Sequence, residues 1–392
     1  LKGGIPTISV RDIAIQKRES DIALATFGRG FYILDDYSPL RNVSDSLFNK
    51  EAFIFPIKNS LMYIQEMGRY GQGSTYFSAP NPEFGAAISY FLKEVPKTRK
   101  EIRKEKEKEL FKNGERIPQP SFEELSLEER ELKPHLIFTI TDEAENFIRK
   151  IVKPASKGVN RLWWDLKDQG TDPISLKDDK FNPEMKSSSG FPVLPGKYSI
   201  SLSLFHAGKV EELVKPVEFE VEVLNNSTLP AKDRNELASF QRRTSHISRV
   251  IQGTQKYAED LAKRIEFVKQ AIYQTPSVPA ELSTQVNDMG QAVSDILIKF
   301  NGQKAKASRE EIPPTEVSIN SRLSVLLYTH WRSTSSITGN QKNAFDILTK
   351  EFPPIQDELK YIGEVELKKL EDEIEIHGAP WTPGRLPSLK LE

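Results

Sequence analysis

Two adjacent carboxylates stand in the stretch FGRGFYILDDYSPLR, residues 27 to 41. Asp35 and Asp36 offer a general acid and a partner, the pair that glycoside hydrolysis uses. Neighbours on an extended strand point to opposite faces, however, so these two diverge and do not cooperate by themselves. The expected structural roles are a turn cap for one and an arginine partner, Arg11, Arg29 or Arg41, for the other. Gly28-Arg29-Gly30 in the same stretch lacks the GxGxxG spacing of a phosphate loop. A strand follows it where a helix N-terminus would be required. A tight hairpin with glycines at positive φ fits instead.

A second group is RLWWDL, residues 161 to 166. Strand alternation sends Leu162, Trp164 and Leu166 to one face and Arg161, Trp163 and Asp165 to the other. If the face of Trp164 is the core face, Trp163 faces outward, where an indole can stack on a sugar ring or a partner surface. Trp163 and Arg161 are therefore the candidate ligand-binding residues. The following loop carries Asp165, Asp168 and Asp172 without EF-hand spacing. The histidines, His135, His206, His246, His330 and His377, are dispersed. None forms an i, i+4 metal pair, and each is expected to be a surface or partly buried histidine. No catalytic, cofactor or metal residue is assigned.

The totals narrow the classes further. The chain has 392 residues, a formal net charge of −1 and no cysteine. Disulfides, thiolate chemistry and Cys-based zinc sites are excluded. No run of roughly 18 apolar residues exists, so no membrane span is expected. The basic run Lys97 to Lys108 is interleaved with Glu101, Glu105 and Glu107 and carries almost no aromatics. That composition describes a solvated helix and not a nucleic-acid platform. Asn42-Val43-Ser44 and Asn226-Ser227-Thr228 match the glycosylation triplet, a pattern common by chance.

Three short strands are expected over residues 8 to 36, forming an antiparallel meander, which by itself is marginal. Residues 53 to 82 read as irregular. Strands are expected at AAISYFLKE, HLIFTITD, NFIRKIV, VNRLWWDLK, GKYSISLSLFHAG and VEFEVEVL. Their alternation predicts an Ig- or fibronectin-like β-sandwich over 53–228, with a charged helical insertion at about 97–133. Beyond Pro230 the period changes. Leu237, Phe240, Thr244, Ile247, Ile251, Thr254, Ala258, Leu261, Ile265, Val268 and Ile272 recur every three or four residues. That is one seam of a helix of about 40 residues, some 60 Å at ~1.5 Å per residue. Three further amphipathic segments, the last kinked at Pro353-Pro354, predict a four-helix antiparallel bundle over 229–380 with short loops and a tail at 381–392.

The stretches VRDIAI, TFGRGFYILDD and NR-WDL, with PNPEFGAAISYFLK and LPGKYSISL, give the chain a resemblance to the C-terminal region of bacterial propeller proteins with sortilin-like, BNR-type repeats. Many of these carry the label glycosyl hydrolase. The resemblance implies that residues 1–52 are the remnant of the last propeller blade, and that the Asp-box blades precede Leu1. It implies an exported protein, periplasmic, cell-surface or secreted. It also implies a structural or interaction role, with a glycan or protein recognised by the parent propeller. The alternative it leaves open is the non-catalytic tail of a sialidase-like hydrolase whose acids lie on other blades. Self-association through the helices also stays open.

Overall fold

The computed structural model describes residues 4–65, 73, 75, 81–177, 180–224, 230–305, 308, 310, 312, 314–387 and 389. The protein mixes helices and sheets. It divides into two compact units. One comprises Leu1–Gln169, Lys180–Ser187 and Pro192–Asn226; the other comprises Gly170–Asp179, Ser188–Phe191 and Ser227–Glu392. Asn226-Ser227-Thr228 and part of the 53–82 stretch lie outside the described residues.

The first unit opens with β1 (Val10–Gln16), β2 (Asp21–Thr26) and β3 (Phe31–Leu34), an antiparallel meander in that order. The turn between β2 and β3 places Gly28 and Gly30 at φ 73° and 76°, the left-handed conformation expected of the glycines there. Opposed residues share a face. Ile13, Leu24 and Tyr32 therefore lie together, as do Ile15, Ile22 and Leu34, while Phe31 and Ile33 occupy the other side with Ala23 and Ala25. Both sides are apolar and both are open: Ile13 is 59% exposed and Phe31 79%.

A 3-10 turn (Ser38–Asn42) and α1 (Asp45–Asn49) lead into β4 (Ala52–Ile54), β5 (Ser60–Met62) and β6 (Ala86–Leu92). The charged segment forms α2 (Arg99–Lys112) and α3 (Phe122–Arg130), each started by a capping box, Thr98 with Glu101 and Ser121 with Glu124. Arg103 joins the two helices by a fork to both oxygens of Glu128, at 2.6 and 2.8 Å. Strands resume with β7 (His135–Asp142), β8 (Phe147–Pro154), β9 (Gly158–Trp164), β10 (Lys167–Gln169), β11 (Ser189–Pro192), β12 (Gly196–His206) and β13 (Lys209–Val223). One sheet has the order β5-β13-β12-β7-β8 and another β4-β6-β9. Side chains of both sheets share one core, with Ile88, Leu92, Leu162 and Trp164 from the smaller and Leu136, Phe138, Ile200 and Leu202 from the larger. Strand β5 falls in the stretch read from sequence as irregular. Its three residues pair in parallel with Val221, Glu222 and Val223, so its partner is remote in sequence. Gly85 precedes β6 at φ 114°, and a Cβ there would sit 1.9 Å from the carbonyl oxygen of Trp164. Only glycine permits that approach between β6 and β9.

The second unit is helical over most of its length. Helix α4 (Arg234–Gln274) is 41 residues long, capped by Asp233, and every residue of the expected seam is buried. It is followed by α5 (Ala280–Asn301), α6 (Ile319–Arg332) and α7 (Gly339–Tyr361), then a π-helical turn over Ile362–Glu366 and α8 (Leu367–Ile376). All contribute to a single core that includes Ile251, Ile265, Val293, Phe300, Leu326 and Leu348. Pro353 and Pro354 lie within α7. The break in helical period falls later, at the π-turn, where Gly363 admits the Tyr257 hydroxyl. The connection between α5 and α6 is long, not short, and part of it lies outside the described residues.

One ion pair is built into this core. Arg264 on α4 donates from Nε to Glu371 on α8 at 2.7 Å, and its Nη2 bonds the second carboxylate oxygen. Glu371 is fully buried. Removing the arginine strands a buried carboxylate, so Arg264→Ala should lower the stability of the helical unit by about 3–5 kcal/mol. Urea unfolding followed by circular dichroism measures this. Replacing both partners with apolar residues of similar size should cost much less.

Candidate functional site

Strand β9 is an edge of its sheet, paired through β6 so that Arg161 opposes Ser89 and Trp163 opposes Ala87. The expected alternation holds: Leu162, Trp164 and Leu166 are buried, Arg161 is exposed and Trp163 is half-buried. Trp164 meets Tyr198 and Phe219 edge-on at 5.3 and 5.9 Å, and its indole N–H donates to the Lys167 carbonyl at 2.9 Å. That hydrogen bond lets a large amphipathic ring occupy a core position.

Arg161 is engaged on three sides. Its Nε donates to the Ser89 hydroxyl at 2.9 Å, Nη1 to the carbonyl of Asp35 at 2.8 Å and Nη2 to the carbonyl of Asp36 at 2.8 Å. The planar guanidinium is suited to such a fork. It grips the end of β3 and fixes the meander against β6 and β9. The arginine that serves Asp35 is therefore Arg161, and not Arg11, Arg29 or Arg41. It reaches the backbone rather than forming a side-chain ion pair.

The same end of the meander is knit by two non-glycine residues at positive φ, Ser20 at 59° and Asp36 at 48°. Asp36 caps its own turn, accepting from the Ser38 amide at 3.2 Å and the Ser38 hydroxyl at 2.5 Å. Its amide donates to Asp21 at 2.9 Å, and the Tyr37 amide donates to the Ser20 carbonyl at 2.7 Å. A second cation, Lys58, reaches the Glu19 carbonyl at 3.3 Å and pairs with the Glu19 carboxylate. That pair holds Glu19 below the usual carboxylate range. Asp35 moves the other way. Desolvation raises its pKa and the nearby Asp21 carboxylate adds to the rise, while Arg161 opposes it. Asp35 and Asp36 thus have separate roles, as strand alternation predicts. The arrangement orients backbone, with each guanidinium nitrogen bonded to a protein oxygen.

The dispersed metal candidates stay dispersed. Among the described residues no group of three or more histidines and carboxylates is placed to hold a metal ion. Arg149 Nη1 donates to the Asp168 carbonyl at 2.7 Å. The histidines are not all near the surface. His135 is buried and stacks on Phe205 at 4.6 Å. His330 on α6 is 1% exposed, between Phe191 and Phe240 at 5.5 Å each, and its Nε2 has no hydrogen-bond partner among the described residues. Desolvation lowers its pKa to about 4. Helical spacing from Leu323 and Leu326 carries the signal for that burial, because position 330 continues the same face.

No helix among the described residues is long and apolar enough to cross a membrane. No protein-family model matches the chain, and no curated protein is significantly similar to it.

Two outcomes follow from this geometry. Arg161→Ala removes charge-assisted bonds of roughly 1.5–3 kcal/mol each. Chymotryptic cleavage within residues 22–34 should accelerate by about tenfold or more, and Arg161→Lys should restore little because it lacks the fork. His330 is neutral in the folded chain and takes a proton near the ordinary value of about 6.5 when unfolded. Stability is therefore full above that value and falls as pH drops toward 4. The loss should reach about 2 kcal/mol at pH 5, read from urea midpoints at pH 7 and pH 5. His330→Leu should abolish that increment.

Proposed function

We propose that the chain is the C-terminal structural and interaction portion of an exported β-propeller protein of the sortilin-like, BNR-repeat type. Residues 1–52 act as the remnant of its last blade, an Ig-like sandwich follows, and a four-helix bundle completes the tail. The parent propeller recognises a glycan or protein, and this portion positions it.

The observation that carries the proposal is the meander β1–β3. It is regular and anchored at one end by Arg161 and Lys58, yet it has apolar residues on both faces, with Ile13 and Ile15 exposed on one and Phe31 and Ile33 on the other. A sheet with two open apolar faces and free edges suits packing between neighbours, as a propeller blade packs. The Ig-like part is supported by Tyr198, whose hydroxyl donates to the Leu194 carbonyl four residues upstream at 2.5 Å, beside the buried Trp164. A buried tryptophan near a tyrosine so bonded is characteristic of such sandwiches. The bundle is supported by the common core of α4 to α8, although α4 and α7 run parallel and so depart from the expected antiparallel order.

Sequencing the reading frame upstream of Leu1 tests the proposal. The expected result is a secretion signal followed by blade-sized repeats of about four short strands each. A start codon directly before Leu1 would overturn it.

A further inference from the structure

In the helical unit a groove of about 640 Å3 runs between α4 and α7. Ile247, Val250, Phe345, Phe352 and Pro353 make its walls. The helices run parallel here: Phe240 lies 5.3 Å from Phe345, and further on Gln356 Nε2 reaches Thr254 Oγ1 at 3.4 Å. The lining on α4 extends from Ser239 to Val250, about 16 Å of helix.

The polar groups of this groove are segregated. Arg242 and Arg243 lie toward the end that holds Phe345, with His246 midway along the α4 lining, and the Arg243 guanidinium lies 4.5 Å from the Phe345 ring centroid. Val250, Pro353 and the neutral Gln356 occupy the other end. Lys256, Arg264, Arg322 and Lys342 of the same unit each have a carboxylate within 4.0 Å. Among the described residues, neither Arg242 nor Arg243 does. Two unneutralised guanidinium groups beside an apolar channel are complementary to one anionic head with an apolar tail.

We propose that this groove binds a single-headed anionic amphiphile, a medium-chain carboxylate, with its head at Arg242 and Arg243 and its chain between α4 and α7. A twelve-carbon chain reaches about 15 Å in its extended zigzag, given ~1.5 Å carbon–carbon bonds, and so fits the channel length. An acidic amphipathic helix would carry carboxylates along its whole length, and the far end of this groove offers them no cation. The proposal is independent of the propeller reading.

Isothermal titration of the full chain with sodium dodecanoate below its aggregation concentration tests it, with dodecyl maltoside as the uncharged probe. The expected result is saturable one-to-one binding of dodecanoate. Decanoate should bind roughly tenfold more weakly, since each buried methylene contributes about fourfold. The double variant R242A/R243A should lose at least tenfold. Thr349 lines the groove, is exposed and bonds only within its own helix turn, so Thr349→Trp should block the channel and abolish binding without disturbing the core. Absence of saturable binding, equal affinity in the parent and both variants, or maltoside binding as tight as dodecanoate would each overturn the proposal.

Discussion

The placement of β1–β3 in the first unit depends on the guanidinium of Arg161. It stands on an edge strand, takes the hydroxyl of Ser89 on the neighbouring strand, and bonds two consecutive carbonyls at the end of the meander. Each of those carbonyls has left the β-ladder, so the arginine supplies the donor that a further strand would have supplied. Around this fork the local geometry is consistent. Ser20 and Asp36 adopt left-handed backbone conformations, Asp36 caps the turn, and Lys58 holds the neighbouring hairpin. The result is a sheet well fastened at one end whose apolar faces stay uncovered.

The helical unit is organised differently. Its long first helix supplies an unbroken buried seam, and burial of aliphatic side chains at roughly 1.5–3 kcal/mol each dominates its stability. Buried polar groups refine it. The Arg264–Glu371 fork ties α4 to α8, and His330 sits neutral in an aromatic cage. Both make the unit sensitive to conditions that a purely apolar core would ignore. The groove beside Arg242 and Arg243 arises because α4 turns apolar residues toward α7 while cations stay on the rim.

How much of this was legible in the sequence follows from the range of each interaction. The seam of α4 is periodic and local, so its residues could be read off, whereas Gln241, Ser248 and Ala271, buried beside it, lie off that 3-4 spacing. Strand alternation separates the Trp164 face from the Arg161 face, and the resemblance to the propeller proteins' C-terminal region is what assigns the Trp164 face to the core. Strand β5 could not be read, because three residues amid prolines and polar groups carry no period and their partner lies at Val221–Val223. The bond from Arg161 to Asp35 spans 126 residues, and nothing local distinguishes it from a bond to Arg11, Arg29 or Arg41. The break near the end of α7 was expected at Pro353-Pro354, where the loss of a backbone donor is obvious. It falls instead at Ile362–Glu366, where Gly363 lets Tyr257 approach. The burial of His330 is set by its position on the α6 face that carries Leu323 and Leu326, and its residue type gives no sign of it.

Strands β1–β3 form a sheet fastened at one end and uncovered on both faces. Native-state hydrogen exchange resolved by mass spectrometry tests this most directly. Amides of residues 22–34 should exchange together through a partial opening, well before those of β7 and β12. Protection of the meander equal to that of β7 and β12 would contradict it, because the sheet would then share the cooperative core of the unit.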